Sequence, residues 1–289
     1  MDKLKTAMSL LPPDIKENIE GLKAELIEEI RLRVGMKPTV LIMGREEIVR
    51  ETKILPHEIK LLMEKASGAS VQAHLNELRD GYISYKGLRI GICASAIYEE
   101  GRLVSFQNIS SLNIRIPHRF QGSISDILDQ IGYGKFESTL IVSPPGYGKT
   151  SLLRELVRQL SQKGLRISVL DERNELACMD RGINYFDMGE HTDILTGVKK
   201  SEGAMMLLRG MNPEIIAFDE ISKKEDFAAI YELAGCGVEI LATAHGQELS
   251  SLRQRPSYRK LLDENIFKNL ISIRRTDHRR EYFYQRIVP

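Results

Sequence analysis

Ser143-Pro144-Pro145-Gly146-Tyr147-Gly148-Lys149-Thr150-Ser151 stands between a short apolar run, Leu140-Ile141-Val142, and a helix-like stretch from Leu152 to Leu160. This is the strand–loop–helix order that a Walker A phosphate-binding loop requires. Glycines let the chain bend tightly enough for several N–H groups to converge on one anion. The helix that follows adds the positive end of its dipole. In such a loop Lys149 reaches the β- and γ-phosphates, and the Thr150 hydroxyl sits on Mg2+. Ser143 replaces the first glycine of the pattern G-x-x-x-x-G-K-[ST], while Gly146 and Gly148 remain. The stretch predicts a protein that binds a nucleoside triphosphate, with Ser143 to Ser151 cradling the phosphates.

Working outward, strands and helices alternate from Phe136 onward. The predicted strands are Thr139–Val142, Arg166–Leu170, Ile215–Phe218 and Val238–Thr243. The predicted helices are Ser151–Lys163, Gly197–Arg209, Lys224–Ala234 and Glu248–Gln254. Short apolar strands between amphipathic helices predict a parallel sheet covered on both faces. A β-hairpin is expected over Asn269–Arg275 and Glu281–Ile287, around Thr276-Asp277-His278.

Three further segments end strands of that sheet, where ligands of open α/β sheets bind. In Glu214-Ile215-Ile216-Ala217-Phe218-Asp219-Glu220, four apolar residues deliver two carboxylates. Asp219 is the expected magnesium-side carboxylate, and Glu220 is placed to orient and activate the attacking water. Two adjacent carboxylates suit hydrolysis better than a static switch. In Val169-Leu170-Asp171-Glu172-Arg173-Asn174-Glu175, Asp171 and Glu172 are expected to hold the metal's waters or to polarise the lytic water. In Leu241-Ala242-Thr243-Ala244-His245-Gly246, Thr243 and His245 are candidates for sensing the γ-phosphate.

The preceding half reads as a separate mixed domain. Helices are expected over Leu4–Leu10, Ile15–Glu29, Pro56–Lys65 and Gln72–Arg79. Strands are expected over Glu29–Val34, in a hairpin of Pro38–Ile42 and Glu47–Arg50 around Met43-Gly44-Arg45, and over Tyr82–Tyr85, Leu88–Ala96 and Ser111–Ile116. Pro117, Gly122, a short helix over Ile124–Ile131 and Gly132-Tyr133-Gly134 mark a boundary. The resulting division is an N-terminal α+β domain over 1–120, a linker over 121–137 and a nucleotide-binding domain over 138–289.

Bulk properties narrow the classes, leaving local basic patches open. Lys+Arg 41 against Asp+Glu 40 leaves no global charge for nucleic acid or an anionic membrane. Cys93, Cys178 and Cys236 have no C-x-x-C spacing, so neither a disulfide framework nor a zinc site is expected, and a reducing cytoplasm fits. The charged first thirty residues lack the apolar core of a signal peptide, and no apolar run is long enough to span a bilayer.

With these segments in hand, the order of phosphate loop, acidic box, strand ending in Asp-Glu and Thr-x-His is similar to type II and type IV secretion and pilus-assembly ATPases. The closer resemblance is to the stage III sporulation protein AA family. It rests on Glu29-Ile30-Arg31-Leu32-Arg33, Asn113-Ile114-Arg115-Ile116-Pro117, Pro144 to Thr150, Asp171-Glu172-Arg173 and Ala242-Thr243-Ala244-His245-Gly246. The resemblance implies a RecA-like P-loop ATPase domain of the ASCE class behind a smaller N-terminal domain. It also implies ATP and Mg2+ as ligands, a homohexameric ring, and a motor docked on a membrane channel complex of the sporulation machinery, in the mother-cell cytoplasm. Asp219 departs from the many secretion ATPases that have Gly before the Glu, and the four-cysteine zinc module of some of them is missing. In ring ATPases of this kind, arginines of the N-terminal domain reach a bound γ-phosphate. Arg115 is the first candidate, followed by Arg31, Arg33 and Arg102, while Arg209 suits a subunit interface.

Two other readings share the same fold. Arg274-Arg275 and His278-Arg279-Arg280 beside Tyr282, Phe283 and Tyr284 would suit single-stranded nucleic acid. A nucleotide-gated scaffold with little turnover would use the loop but not Glu220.

Overall fold

The computed structural model describes residues 3–42, 44–68, 78–117, 124–131, 135–179, 182–276 and 279–287. Two compact units divide the chain, Met1–His118 and Arg119–Pro289.

In the first unit, β1 (Ile27–Arg33), β2 (Thr39–Ile42), β3 (Arg45–Ile48), β4 (Tyr82–Tyr85), β5 (Leu88–Glu99) and β6 (Arg102–Arg115) form an antiparallel sheet in the order β3-β2-β1-β6-β5-β4. Helices α1 (Lys3–Met8), α2 (Pro13–Glu20) and α3 (Pro56–Ser67) complete it. α3 lies against β4 and β6, and α1 against β5. Ile15 and Ile19 of α2, Ile59 and Leu62 of α3, and Ile30, Leu32, Ile83, Ile90, Leu112 and Ile114 of the sheet share one core. This is the α+β N-terminal domain that the sequence leads one to expect.

Two details correct the sequence reading. The helix expected over Ile15–Glu29 stops at Glu20, and β1 has begun by Ile27. A register shift in β1 between Ile27 and Glu29 lets Ile27 and Ile30, three residues apart, both face the core. The bulge thus imitates helical spacing. The strand expected from Ser111 starts at Arg102 instead, because β5 and β6 run on as a long hairpin around Glu100-Gly101. The outer half of β5 is mostly exposed and leaves no apolar alternation to read. Met43, residues 72–77 of the expected Gln72–Arg79 helix, Gly122, Gly132-Tyr133-Gly134 and Asp277-His278 lie outside the described residues.

In the second unit, β7 (Thr139–Ser143), β8 (Ile167–Asp171), β9 (Thr192–Thr196), β10 (Ile215–Phe218), β11 (Glu239–His245), β12 (Asn269–Thr276) and β13 (Arg279–Arg286) form one sheet in the order β13-β12-β7-β11-β10-β8-β9. All neighbours are parallel except β12 and β13. The helices are α4 (Ser125–Gln130), α5 (Lys149–Gln162), α6 (Lys200–Met211), α7 (Lys224–Gly235), α8 (Leu249–Arg253) and α9 (Pro256–Asp263). β7, β8 and β10 are buried at every position, as strands covered on both faces must be. Ile141, Val169 and Ala217 pack with Leu152, Leu156 and Val157 of α5 on one face. Leu140, Leu170, Ile216 and Phe218 pack with Leu207 of α6 and Ile230 and Leu233 of α7 on the other.

β9 and α9 are additions to the predicted elements. β9 is an edge strand with no buried position, so it has no apolar run. α9 carries Pro at its first turn, a start signal of good quality, but is only two turns long. The strand order matters most for the site. Adjacent β7, β11, β10 and β8 end at one edge, so the chain segments after them meet there.

Candidate nucleotide-binding site

The loop after β7 takes its shape from two glycines in the left-handed region, Gly146 at φ 78° and Gly148 at φ 96°. Other residues pay a steric penalty there. Gly148 is the N-cap of α5, so the free N–H groups of the first turn face the loop. Lys149 is buried, and its Nζ donates to the carbonyls of Ser143 at 3.0 Å and Pro144 at 3.2 Å. Burial pushes its pKa down, while the charges of Asp219 and Glu220 oppose that shift. Tyr147 packs its ring against the α5-side core. Thr150 and Ser151 follow in the first turn of α5.

Asp219 follows β10 and sits between two hydroxyls. Thr150 donates to its Oδ2 at 3.1 Å, and Thr243 donates to its Oδ1 at 2.9 Å. Thr150 and Asp219 are thus hard oxygen donors side by side, which suits Mg2+. Among the described residues, no group of three or more His, Cys, Asp or Glu side chains is arranged to hold a metal on its own. An ion at Thr150 and Asp219 would therefore take its other ligands from phosphate and water, as Mg2+ characteristically does.

Glu220 has φ 46°, a conformation that costs a non-glycine residue on the order of 1 kcal/mol or more. Thr243 supports it on both sides. Its hydroxyl oxygen accepts the Glu220 N–H at 2.8 Å, and its carbonyl accepts the Ile221 N–H at 2.9 Å. The turn aims the Glu220 carboxylate at His245, with Oε1 3.4 Å from Nε2, while Oε2 lies 3.8 Å from Arg173. His245 ends β11, and its carbonyl accepts from Arg255 at 2.7 Å. Its Nδ1 lies 2.9 Å from the Nζ of Lys149. An ammonium has donors only, so Nδ1 accepts and the ring proton belongs on Nε2, facing Glu220.

Asp171 and Glu172 stand at the same edge but are held by their surroundings. Asp171 is almost wholly buried and accepts three backbone N–H groups, from Glu175 at 2.8 Å and from Leu176 and Ala177 at 2.9 Å each. Burial pushes its pKa up to about 6; the Ala177 and Leu176 N–H groups oppose this and the nearby Asp219 charge adds to it. Glu172 pairs with Lys200 at 2.8 Å and Lys223 at 3.1 Å. These carboxylates shape the groove between β8 and β10, which Asp219 and Glu220 line from the other side.

Sequence reasoning missed Arg154. It is buried in α5, donates to the carbonyls of Leu176 and Glu175, and lies 3.6 Å over the Phe186 ring. Nothing in its helical position announced this. The basic–aromatic segment near the C-terminus divides between two faces of the β12–β13 hairpin. Arg274 lies over Phe283 on one face, while Tyr282 and Tyr284 pack into the α5-side core on the other.

Of the arginines expected to act on phosphate, Arg115 belongs to the first unit, where it is exposed and 3.6 Å from Glu29. Arg31 pairs with Glu29 and Glu46, and Arg33 with Glu46. The Arg102 side chain lies outside the described residues. Arg209 is exposed in the last turn of α6.

Comparison with known proteins agrees with this architecture. The family described as Sporulation stage III, protein AA matches residues 2–281. Stage III sporulation protein AA of Bacillus subtilis (strain 168) is 32% identical over 276 residues, covering 92% of this chain and 89% of the relative. Among solved structures, the Legionella pneumophila ATPase DotB matches with a TM-score of 0.65 at 15% identity, covering 95% of this chain and 80% of that one. The pilus retraction motor PilT, solved with bound ADP, matches with a TM-score of 0.61 at 17% identity, covering 95% and 82%. At such identities the likeness establishes the fold alone, which the chain shares with these ATPase and pilus-motor structures.

Proposed function

The chain belongs to the stage III sporulation protein AA family, and from that premise we propose that it is an ATPase, a secretion-type motor energising a channel complex between mother cell and forespore. One observation carries the catalytic part: a single imidazole, His245, joins Lys149 at 2.9 Å to Glu220 at 3.4 Å. The residue that would hold the terminal phosphates and the residue that would orient water are thereby linked.

In this reading the loop amides and Lys149 bind the phosphate chain of ATP. Glu220 orients a water for in-line attack on the γ-phosphorus and takes up its proton, and the bond to the β–γ bridging oxygen breaks to leave ADP and phosphate. Mg2+, held through Thr150 and Asp219, would neutralise charge on the phosphate oxygens. Asp171 shapes the 172–177 turn through its three N–H contacts and adds negative potential beside Asp219. His245 reports the γ-phosphate to Glu220. The working assembly is proposed to be a homohexameric ring at the mother-cell face of the channel complex, with Arg115 acting on a neighbouring copy's nucleotide. Among the described residues no helix is long and apolar enough to cross a membrane.

The test is equilibrium binding of Mg-ATP together with turnover by the full chain. Lys149→Ala is expected to abolish binding. Glu220→Gln is expected to bind as the parent does and to turn over about 10²- to 10⁴-fold more slowly. A parent chain that binds no nucleotide at millimolar concentration overturns the reading. Binding without turnover makes the protein a nucleotide-gated scaffold.

A further inference from the structure

β12 lies beside β7 and runs parallel to it, pairing Asn269 with Thr139 through Ser272 with Val142. The carboxyl end of β12 and the start of β13 are therefore at the same edge as the phosphate loop. On the face toward α5 the cross-strand pairs are Ile271 with Tyr284, Ile273 with Tyr282 and Arg275 with Arg280. The first two pairs are part of the core around α5, and the third continues the same face to the sheet edge. There the Arg280 guanidinium stands over Gly148. A Cβ on Gly148 would lie 3.2 Å from its Cζ and 3.3 Å from its Nε and Nη1.

This is an unfavourable place for a cation unless it shares an anion. Gly148 caps the positive end of α5. Lys149, the next residue, brings a second positive charge. A phosphate seated in the loop relieves both repulsions at once, and a guanidinium fork suits its oxygens.

We propose that Arg280 is a phosphate-binding residue of this site, supplied in cis by the C-terminal hairpin and directed at the α- and β-phosphates. The direction follows from the strand order. Glu220 and His245, which mark the γ-phosphate end, follow β10 and β11 on one side of β7, whereas Arg280 arrives from β12 and β13 on the other. The inference rests on the nucleotide reading given above. It requires that ATP and ADP benefit alike, so Arg280 contributes to binding and leaves the chemical step to other residues.

The experiment measures ADP and ATP affinity and turnover at saturating Mg-ATP for the full chain. Arg280→Gln is expected to weaken ADP and ATP equally, by about 10- to 100-fold, with saturated turnover kept within a few-fold. Arg280→Lys, which keeps the charge without the fork, is expected to lose a smaller factor. Arg274→Gln, on the opposite face, is expected to bind as the parent. Unchanged ADP affinity in Arg280→Gln overturns the proposal. So does a loss confined to ATP or to turnover, which would place Arg280 at the γ-phosphate. If Arg280→Gln does not fold, ADP affinity of the Lys variant decides, and parental affinity there overturns the proposal. A parent chain that binds neither nucleotide would instead defeat the nucleotide reading itself.

Discussion

The Nζ of Lys149 lies 2.9 Å from the Nδ1 of His245, and this contact occupies the third N–H of an ammonium whose other two go to the carbonyls of Ser143 and Pro144. A phosphate that takes a hydrogen from Lys149 competes with one of these acceptors, and only His245 also faces Glu220. His245→Ala should therefore separate binding from chemistry. Nucleotide affinity is expected within a few-fold of the parent, while turnover falls on the order of 10²-fold, as when a positioned donor is removed. Steady-state kinetics with an independent ATP titration checks this. An equal loss in affinity and turnover would assign His245 to phosphate binding alone.

Thr243 carries a load that its size conceals. It is fully buried, donates to Asp219 and accepts from the Glu220 N–H. Thr243→Val keeps the volume and removes both bonds, leaving the Glu220 N–H without its partner. Destabilisation of about 1–3 kcal/mol is expected, measured by the denaturation midpoint. The freed Asp219 should also raise the Mg2+ concentration needed for half-maximal turnover. An unchanged Mg2+ requirement would show that Thr150 alone positions Asp219.

The N-terminal sheet offers an acid-sensitive contact independent of the site. Arg33 clamps both oxygens of Glu46 at 3.0 Å, Thr39 donates at 2.8 Å, and Arg31 adds a contact at 3.2 Å. The Arg33 and Thr39 hydrogen bonds hold the Glu46 pKa down at about 2, below the 4.5 of a free glutamate. The folded state therefore gains from an ionised Glu46 above pH 4.5, and the gain disappears as pH falls through that value toward 2. Because the pair is partly exposed, the effect is on the order of 1 kcal/mol. Glu46→Gln should lower the melting midpoint at neutral pH and flatten its decline across the acid range. An unchanged slope would assign the acid sensitivity to other carboxylates.

Local chemistry made much of this legible in advance. The strand–glycine–Lys-Thr–helix order of 139–160 specified the loop, because only glycine adopts its turns cheaply and only an apolar run feeds a buried parallel strand. The apolar run Ile215–Phe218 ending in Asp219-Glu220 announced its carboxylates for the same reason. What misled was spacing that two structures share. Ile27 and Ile30 are separated as on a helix, yet a bulge puts both inside a strand. β9, half-buried at most positions and fully buried at none, had no periodicity to detect.

The sequence by itself thus determined the loop, the parallel sheet and the residue types gathered at its carboxyl edge, since these follow from backbone sterics and from the period of apolar burial. Only the tertiary structure decided how those residues divide the work. Strand order placed His245 between Lys149 and Glu220, closed Asp171 onto its own turn, and brought Arg280 over Gly148 from more than a hundred positions away. Such contacts depend on which strands become neighbours, and that is set by the packing of the whole domain rather than by any stretch of chain.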